Sequence, residues 1–359
     1  MASAQEILDN PESYSRLDLS GMRDHLARFS QECQKAWDKG FGFQLPPEYA
    51  QVTIALVLGM GASGTGGKLL RRLASIEGRV PVRVHQNYGL PPFVDGETLI
   101  IASSYSGNTE ETLSGFSEAL KIPAPKLALT SGGQLGEMAR EAGIPVFEID
   151  YRSPPRVALS HSFFSLAGIL DKLGLLHIKP SDLTETMHVL SRLTDEFRET
   201  NPFESNPVKQ LAASLQGYLP VIYSSDFLTE VGERWKTQLN ENSKSAAFTE
   251  VFPELCHNAI VGYEFPGEFG KQVFTILLQS KSLFHMRITR RYEAIAQILS
   301  QKGIGFETVQ TRGESLLAQM ISLVLYGDYV SFYLAILNEV DPTPVDSIDF
   351  MKQYIARSQ

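Results

Sequence analysis

The stretch from Ile100 to Thr112, IIASSYSGNTEET, gathers small hydroxyl donors around one glycine where an apolar run gives way to a polar one. Ser103, Ser104, Ser106 and Thr109 add donors without bulk, and Gly107 lets the backbone come close to a ligand. If a strand ends and a helix begins there, the helix N-terminus adds unpaired N–H groups and about half a positive charge. Such a place suits a phosphate monoester. A plainer assignment is that Ser106 and Thr109 cap the helix, with Glu110 and Glu111 as ordinary first-turn acids. Two further loops weigh for phosphate. GMGASGTGG sets Gly59, Gly61, Ser63, Gly64, Gly66 and Gly67 before a helix, and TSGGQLGE repeats the pattern from Thr130. GMGASG could open a dinucleotide site, but the acid expected about 20 residues on is missing, and VRVHQN stands there instead. Small polar loops repeated at one sheet edge favour a phosphorylated sugar.

The elements that must hold these loops read as alternating strands and helices. VTIALVLGMGASGTGGKLLRRLAS, TLIIASSYSGNTEETLSGFSEAL and PKLALTSGGQLGEMAREAG each run strand, small-residue loop, helix, and VPVRVHQN and IPVFEID add short strands. The alternation predicts an α/β fold with parallel sheets flanked by helices, and such sheets bind ligands at the carboxyl ends of their strands. GYLPVIYSSDFLTEVGERWKTQLNENSK begins a second strand–loop–helix, and VFTILLQS and FETVQTR read as two more strands. The expected organisation is an N-terminal amphipathic helical segment (1–45) ended by Gly40 and Gly42, a first α/β domain (46–155), crossover helices (156–206) and a second α/β domain with C-terminal helices (207–359). LLAQMISLVLYGDYVSFYLAILNEV reads as a long buried helix.

Bulk properties narrow the function. A chain of 359 residues exceeds what one core usually serves, in keeping with two domains. The net charge of −9 argues against a nucleic-acid surface. Two cysteines, Cys33 and Cys256, form no CxxC pair, and the seven histidines show no HxH or HExxH spacing, so neither a disulfide framework nor a metal site is expected. MASAQEILDN lacks the features of a signal peptide, and no apolar run approaches the roughly 20 residues of a membrane span. A cytoplasmic protein without membrane association is expected.

Taken together, GMGASGTGG, SSYSGNTEET and TSGGQLGEMA resemble the loops of the sugar isomerase (SIS) domain. SPPRVALSHSF, WKTQLNENSK, PELCHNAIVGYE and DPTPVDSIDFMK resemble the bifunctional phosphoglucose/phosphomannose isomerase family, and the motifs reach from about Leu56 to Lys352. Ala62 departs from the family, which often has a second glycine there. The resemblance implies two tandem SIS domains and an aldose–ketose isomerase that needs no cofactor or metal. It implies a homodimer whose His257 reaches the neighbouring active site. The substrates would be glucose 6-phosphate, mannose 6-phosphate and fructose 6-phosphate, linked by a cis-enediol.

The resemblance also assigns roles. Ser63, Ser104, Ser106 and Thr109 would hold the phosphate, with Gly61 and Gly107 in the substrate loops. Arg156 would stabilise the enediolate, as a permanently charged fork of donors can. Glu241 would move the proton between C2 and C1, His257 would open the ring, and Lys352 would assist at that end. Without the resemblance these residues have plainer explanations: a surface ion pair for Arg156, a solvated carboxylate for Glu241, a surface imidazole for His257. Two other functions remain open. One is a different SIS-fold sugar-phosphate isomerase, which the joint presence of Arg156, Glu241, His257 and Lys352 disfavours. The other is a non-catalytic sugar-phosphate sensor, which would lack the Glu–His pair and usually carries a partner-binding module.

Overall fold

The computed structural model describes residues 2–266 and 268–357. Four helices open the chain: α1 (Ala4–Leu8), α2 (Pro11–Leu17), α3 (Met22–Ala27) and α4 (Phe29–Gly42). A first alternation runs β1 (Ile54–Leu58), α5 (Gly61–Glu77), β2 (Val82–His85), β3 (Thr98–Ser103), α6 (Glu110–Ala119), β4 (Lys126–Thr130), α7 (Gly133–Glu141) and β5 (Val146–Glu148). The helices α8 (Leu159–Lys172), α9 (Pro180–Phe197) and α10 (Pro207–Leu215) follow. A second alternation runs β6 (Leu219–Ser225), α11 (Thr229–Glu241), β7 (Phe248–Phe252), β8 (Val273–Gln279), α12 (Met286–Gln301) and β9 (Gly305–Gln310), before α13 (Leu316–Leu337) and α14 (Asp346–Ala356). The chain divides into two compact units. The first-sheet unit is Arg28–Ser191 with Gly313–Gln319, and the second-sheet unit is Met1–Ala27, Arg192–Arg312 and Met320–Gln359.

The N-terminal helical segment therefore forms no unit of its own. Its pattern is broken at Gly21, whose φ of +70° suits glycine, and Asp18 then accepts from the amides of Met22 and Arg23 at the start of α3. Gly40 does not end α4 but lies inside it. A Cβ there would stand 2.4 Å from the carbonyl oxygen of Ser165, so glycine lets α8 cross α4 backbone to backbone.

In the first-sheet unit the strands lie in the order β2-β1-β3-β4-β5, every neighbour parallel. Both faces are covered, so the strands are near-continuous apolar runs. Phe116 of α6 and Leu135 and Ala139 of α7 pack on Ala102 and Ala128. On the other face α5 comes so near that a Cβ on Gly67 would lie 2.9 Å from Val57 Cγ1. Helix α8 packs on α5 in turn, where Gly66 leaves room for Ser162.

In the second-sheet unit the order is β7-β6-β8-β9, again all parallel. Helix α11 is fixed to α13. Trp235 Nε1 donates to the Leu323 carbonyl at 2.7 Å, and Arg234 forks onto Asp328 through Nε at 3.1 Å and Nη2 at 3.0 Å. Gly327 makes this possible, since a Cβ there would lie 2.5 Å from Trp235 Nε1. Contrary to the sequence expectation, one helix among the described residues is long and apolar enough to cross a membrane: α13, with 22 residues. Its most apolar window is wholly buried in the protein, as befits a core helix that is apolar all round.

Candidate active site

Parallel strands end at one edge, so the loops after β1, β3, β4 and β5 line one rim of the first sheet. Strand order reverses between β1 and β3, which makes that junction the switch point where such sheets take ligands. The loops here are tied to one another. Ser63 Oγ accepts from the Tyr105 amide at 3.3 Å, across the switch point. The Tyr105 carbonyl accepts from the Ser131 amide at 3.0 Å and from Ser131 Oγ at 2.6 Å. The Gly107 carbonyl accepts from the Leu135 amide at 2.9 Å, and Asn108 Oδ1 accepts from the Gln134 amide at 3.0 Å.

Glycine is required where these loops touch. Gly107 has φ +71°, and a Cβ on it would stand 1.9 Å from the Gly132 carbonyl oxygen. Gly61, at φ +49°, begins α5 itself, so Ser63 sits in the first helical turn rather than ahead of it. Gly64, Gly66 and Gly67 likewise lie within α5 and serve its packing.

The hydroxyls do not cap α6 as the plainer assignment supposes. Thr109 occupies the N-cap position without a side-chain cap hydrogen bond, and its Oγ1 instead accepts from Ser104 Oγ at 3.0 Å. Ser104 Oγ accepts in turn from the Gly107 amide at 3.2 Å, and Ser106 Oγ from the Asn108 amide at 3.3 Å. Ser63 and Ser104 are buried, Thr109 is half-buried and Ser106 is exposed. The N-termini of α5 and α6 thus both lack a side-chain cap at this rim, each with the positive end of its dipole there.

Arg156 lies on the loop that leaves β5 at the same rim. It is only 4% exposed, which removes the surface ion pair as its explanation. Tyr105, unremarked in the sequence, reaches this loop: its hydroxyl donates to the Tyr151 carbonyl at 2.6 Å and accepts from the Ser153 amide at 2.9 Å. Behind the loop, the Tyr151 ring stacks on His161 with centroids 4.8 Å apart, and His161 Nε2 meets Glu32 Oε2 at 3.1 Å. Burial pushes the His161 imidazole down, against the pull of Glu32. Glu32 is held below the ordinary carboxylate value: burial works to raise it, but hydrogen bonds from Lys35 and His161 outweigh burial.

The remaining candidates belong to the second-sheet unit. Glu241 is the last residue of α11 and is half-buried. The turn after it is firmly held. Asn242 Nδ2 donates to Ser331 Oγ at 3.0 Å, Ser243 Oγ to the Leu239 carbonyl at 2.6 Å, and Asn338 Nδ2 to the Ser243 carbonyl at 3.0 Å. Lys244 Nζ bridges the carbonyls of Glu241 and Pro342. Residues 338–342, which lead toward the helix of Lys352, therefore reach the Glu241 end of α11. Lys352 itself is exposed on α14. His257 lies elsewhere. It is exposed in the turns that follow β7, at the carboxyl edge of the second sheet, whereas α11 runs back to deliver Glu241 at the opposite edge. Among the described residues no three His, Cys, Asp or Glu side chains gather as metal ligands would.

Two parallel sheets with hydroxyl-rich loops at a switch point define a tandem sugar isomerase (SIS) protein, and comparison with solved structures agrees on the fold. A hypothetical protein from Thermus thermophilus superposes with a TM-score of 0.76 at 16% identity, over 99% of this chain and 94% of that one. A glucose-6-phosphate isomerase like protein from the same organism superposes with a TM-score of 0.64 at 19% identity, over 98% and 99%. Residues 204–355 match the bacterial phospho-glucose isomerase C-terminal SIS domain. The bifunctional phosphoglucose/phosphomannose isomerase of Caldicellulosiruptor bescii is 39% identical over 93% of this chain and 99% of its own length. That of Thermoplasma acidophilum is 34% identical over 93% and 100%. The chain belongs to the bifunctional phosphoglucose/phosphomannose isomerase family, and it is an isomerase.

Proposed function

We propose that the chain interconverts fructose 6-phosphate with glucose 6-phosphate and mannose 6-phosphate through one cis-enediol. The observation that carries this reading is the rim of the first sheet: interlocked hydroxyl loops and two helix N-termini without side-chain caps, in a chain of this family. Ser63, Ser104, Ser106 and Thr109 hold the phosphate dianion, and Gly61 and Gly107 let the loop backbone approach it. His257 and Lys352 serve ring opening, in which the ring oxygen gains a proton and the anomeric hydroxyl gives one up. Glu241 then takes the proton from C2 of the open-chain aldose, and C1 oxygen takes up the negative charge. Arg156 stabilises that enediolate. The hydroxyl proton of the C2 oxygen passes to the C1 oxygen, and return of the abstracted proton from Glu241 to C1 then leaves C2 as the carbonyl and C1 as the alcohol of the ketose. Glucose and mannose phosphates differ only at C2, so both give the same intermediate. A coupled assay for fructose 6-phosphate from each aldose phosphate tests this directly. Formation from both is expected, and formation from neither sinks the proposal.

The same reading makes the active form a homodimer. Glu241 ends the helix that leads into β7 and His257 lies in the turns that follow β7, so the two stand at opposite ends of that strand, which supports a site shared between chains. In this reading His257 serves the site of a neighbouring chain. Val261 and Phe265, just beyond it, are 68% and 83% exposed, as interface residues are in an isolated chain. Mixing separates the alternatives. Glu241→Gln and His257→Ala chains, inactive alone, are dissociated and reassociated together. A mixed dimer then has one doubly defective and one intact site, so activity returns. A silent mixture with heterodimers verified by mass excludes the shared site and leaves the isomerase reading standing.

A further inference from the structure

We infer that Tyr105 is a positioning residue for the isomerisation, holding the loop that carries Arg156 in register with the phosphate loops. The inference rests on the reading of Arg156 given above. Four connections meet at this residue. Its amide donates to Ser63 Oγ at 3.3 Å and its carbonyl accepts from Ser131, which fixes its backbone at the switch point. Its side chain leaves that point and spans to the next loop, where the hydroxyl donates to the Tyr151 carbonyl at 2.6 Å and accepts from the Ser153 amide at 2.9 Å. Both polar functions of the phenol are thereby used.

The held segment lies off the sheet. The Ile149 amide still donates to the Thr130 carbonyl at 2.8 Å, and beyond it the chain leaves the ladder. After Ser153 come Pro154 and Pro155, which carry no N–H, and then the single turn 155–158 that presents Arg156. The phenol hydroxyl fixes this course at the backbone groups of Tyr151 and Ser153. Ring stacking of Tyr151 on His161 steadies the other side. The geometry makes Tyr105 a strut: one end is built into the loops that bind phosphate, and the other bears on the backbone that aims a guanidinium. A substrate held by its phosphate is then presented to an arginine whose distance is set by the length of one aromatic side chain. Misplacement of a catalytic group by about 1 Å can cost up to ~10²-fold in rate.

Tyr105→Phe removes one oxygen atom and keeps the ring. Steady-state kinetics with fructose 6-phosphate are measured for the wild type, Tyr105→Phe, Arg156→Ala and the double variant, at a temperature where all are folded. The expected result is a fall of about 10- to 100-fold in kcat for Tyr105→Phe, with KM changed less than about threefold because the phosphate hydroxyls are untouched. Arg156→Ala should lose more, and the double variant should lose no more than Arg156→Ala alone. A lower melting temperature with kcat intact would reduce Tyr105 to a structural role and overturn the inference. Additive losses in the double variant would also overturn it, since Tyr105 would then act other than through Arg156. If Arg156→Ala itself turns over normally, the reading of Arg156 fails and the inference falls with it, an outcome distinct from a silent Tyr105→Phe beside a crippled Arg156→Ala. Hydrogen exchange on the wild type supplies a check that needs no variant. The Ser153 amide should be protected, and exchange at the rate of an unstructured peptide would refute the clamp.

Discussion

The two units repeat one architecture and treat its switch point in opposite ways. Between β1 and β3 the chain places Ser63, Ser104, Thr109 and glycines, and leaves two helix N-termini without side-chain caps. Between β6 and β8 it places rings. Phe227 and Phe284 lie 5.4 Å apart, Phe284 and Tyr292 5.6 Å, and Phe252 stacks on Tyr292 at 4.2 Å. All four side chains are 9% exposed or less. The difference is one of side-chain volume and polarity rather than of backbone. A doubly wound sheet offers an anion-ready crevice wherever its strand order reverses, and bulky aromatic side chains close it. Under the proposed function the first unit binds the phosphate, and the second contributes chemistry from the end of α11 and the turns after β7.

Substitutions can break this division of labour. The largest effect should come from Glu241→Gln, which keeps shape but removes the proton acceptor. Turnover should fall at least ~10²-fold, while sugar-phosphate binding, measured by calorimetry, stays near the wild-type value. Near-normal turnover would remove Glu241 from the role. Next comes one serine at the switch point of each sheet. Ser106→Ala should raise KM for fructose 6-phosphate, with a loss of about 1.5–3 kcal/mol for a hydrogen bond to a charged group. Ser225→Ala, at the end of β6, should leave KM unchanged. Equal effects at the two positions would show that both crevices bind phosphate.

Smaller effects sharpen the picture of the first unit. His161 has a folded pKa below its ordinary value of 6.5, so the unfolded chain binds its proton first and stability falls as pH drops below about 6.5. Glu32, lowered from 4.5, adds its own loss only further into acid. His161→Gln should therefore flatten the pH dependence of denaturant unfolding between about pH 6.5 and 5. An unchanged slope would mean that other groups set it. The least change is expected from exhaustive chelation, because the proposed chemistry stabilises the enediolate with Arg156. Loss of activity restored by zinc would overturn that expectation.

Much of the first unit is legible in the sequence because its central strands are buried on both faces. IALVL and TLIIAS announce themselves as apolar runs, and the small-residue loops after them mark the rim. Less legible is β7, where Phe248 is exposed at the sheet edge and the alternation is short. The extent of the N-terminal helices is hidden for a physical reason: Gly40 reads as a helix terminator, and only the presence of α8 turns it into a packing surface. The same holds for Gly64, Gly66 and Gly67, which α5 uses inside the helix. Of the proposed site residues, those of the hydroxyl loops can be argued from donor chemistry alone. Arg156, Glu241, His257 and Lys352 cannot, since a lone charged residue carries no spacing pattern, and only resemblance singles them out. Tyr105 is hidden in the most conspicuous motif of the chain. Nothing in the sequence says that its hydroxyl meets a backbone 46 residues further on.

Helix α13 bears on how the chain is made. Helix α11 leaves the ribosome before the residues of α13 that meet it. Until Leu323 and Asp328 are synthesised, Trp235 lacks its carbonyl acceptor and Arg234 its carboxylate. The growing polypeptide therefore carries an indole and a cation meant for the interior, both open to water. Such surfaces draw aggregation or chaperone binding during synthesis. Slow translation across codons 316–337 would lengthen that exposure, and a premature stop just ahead of them would make it permanent.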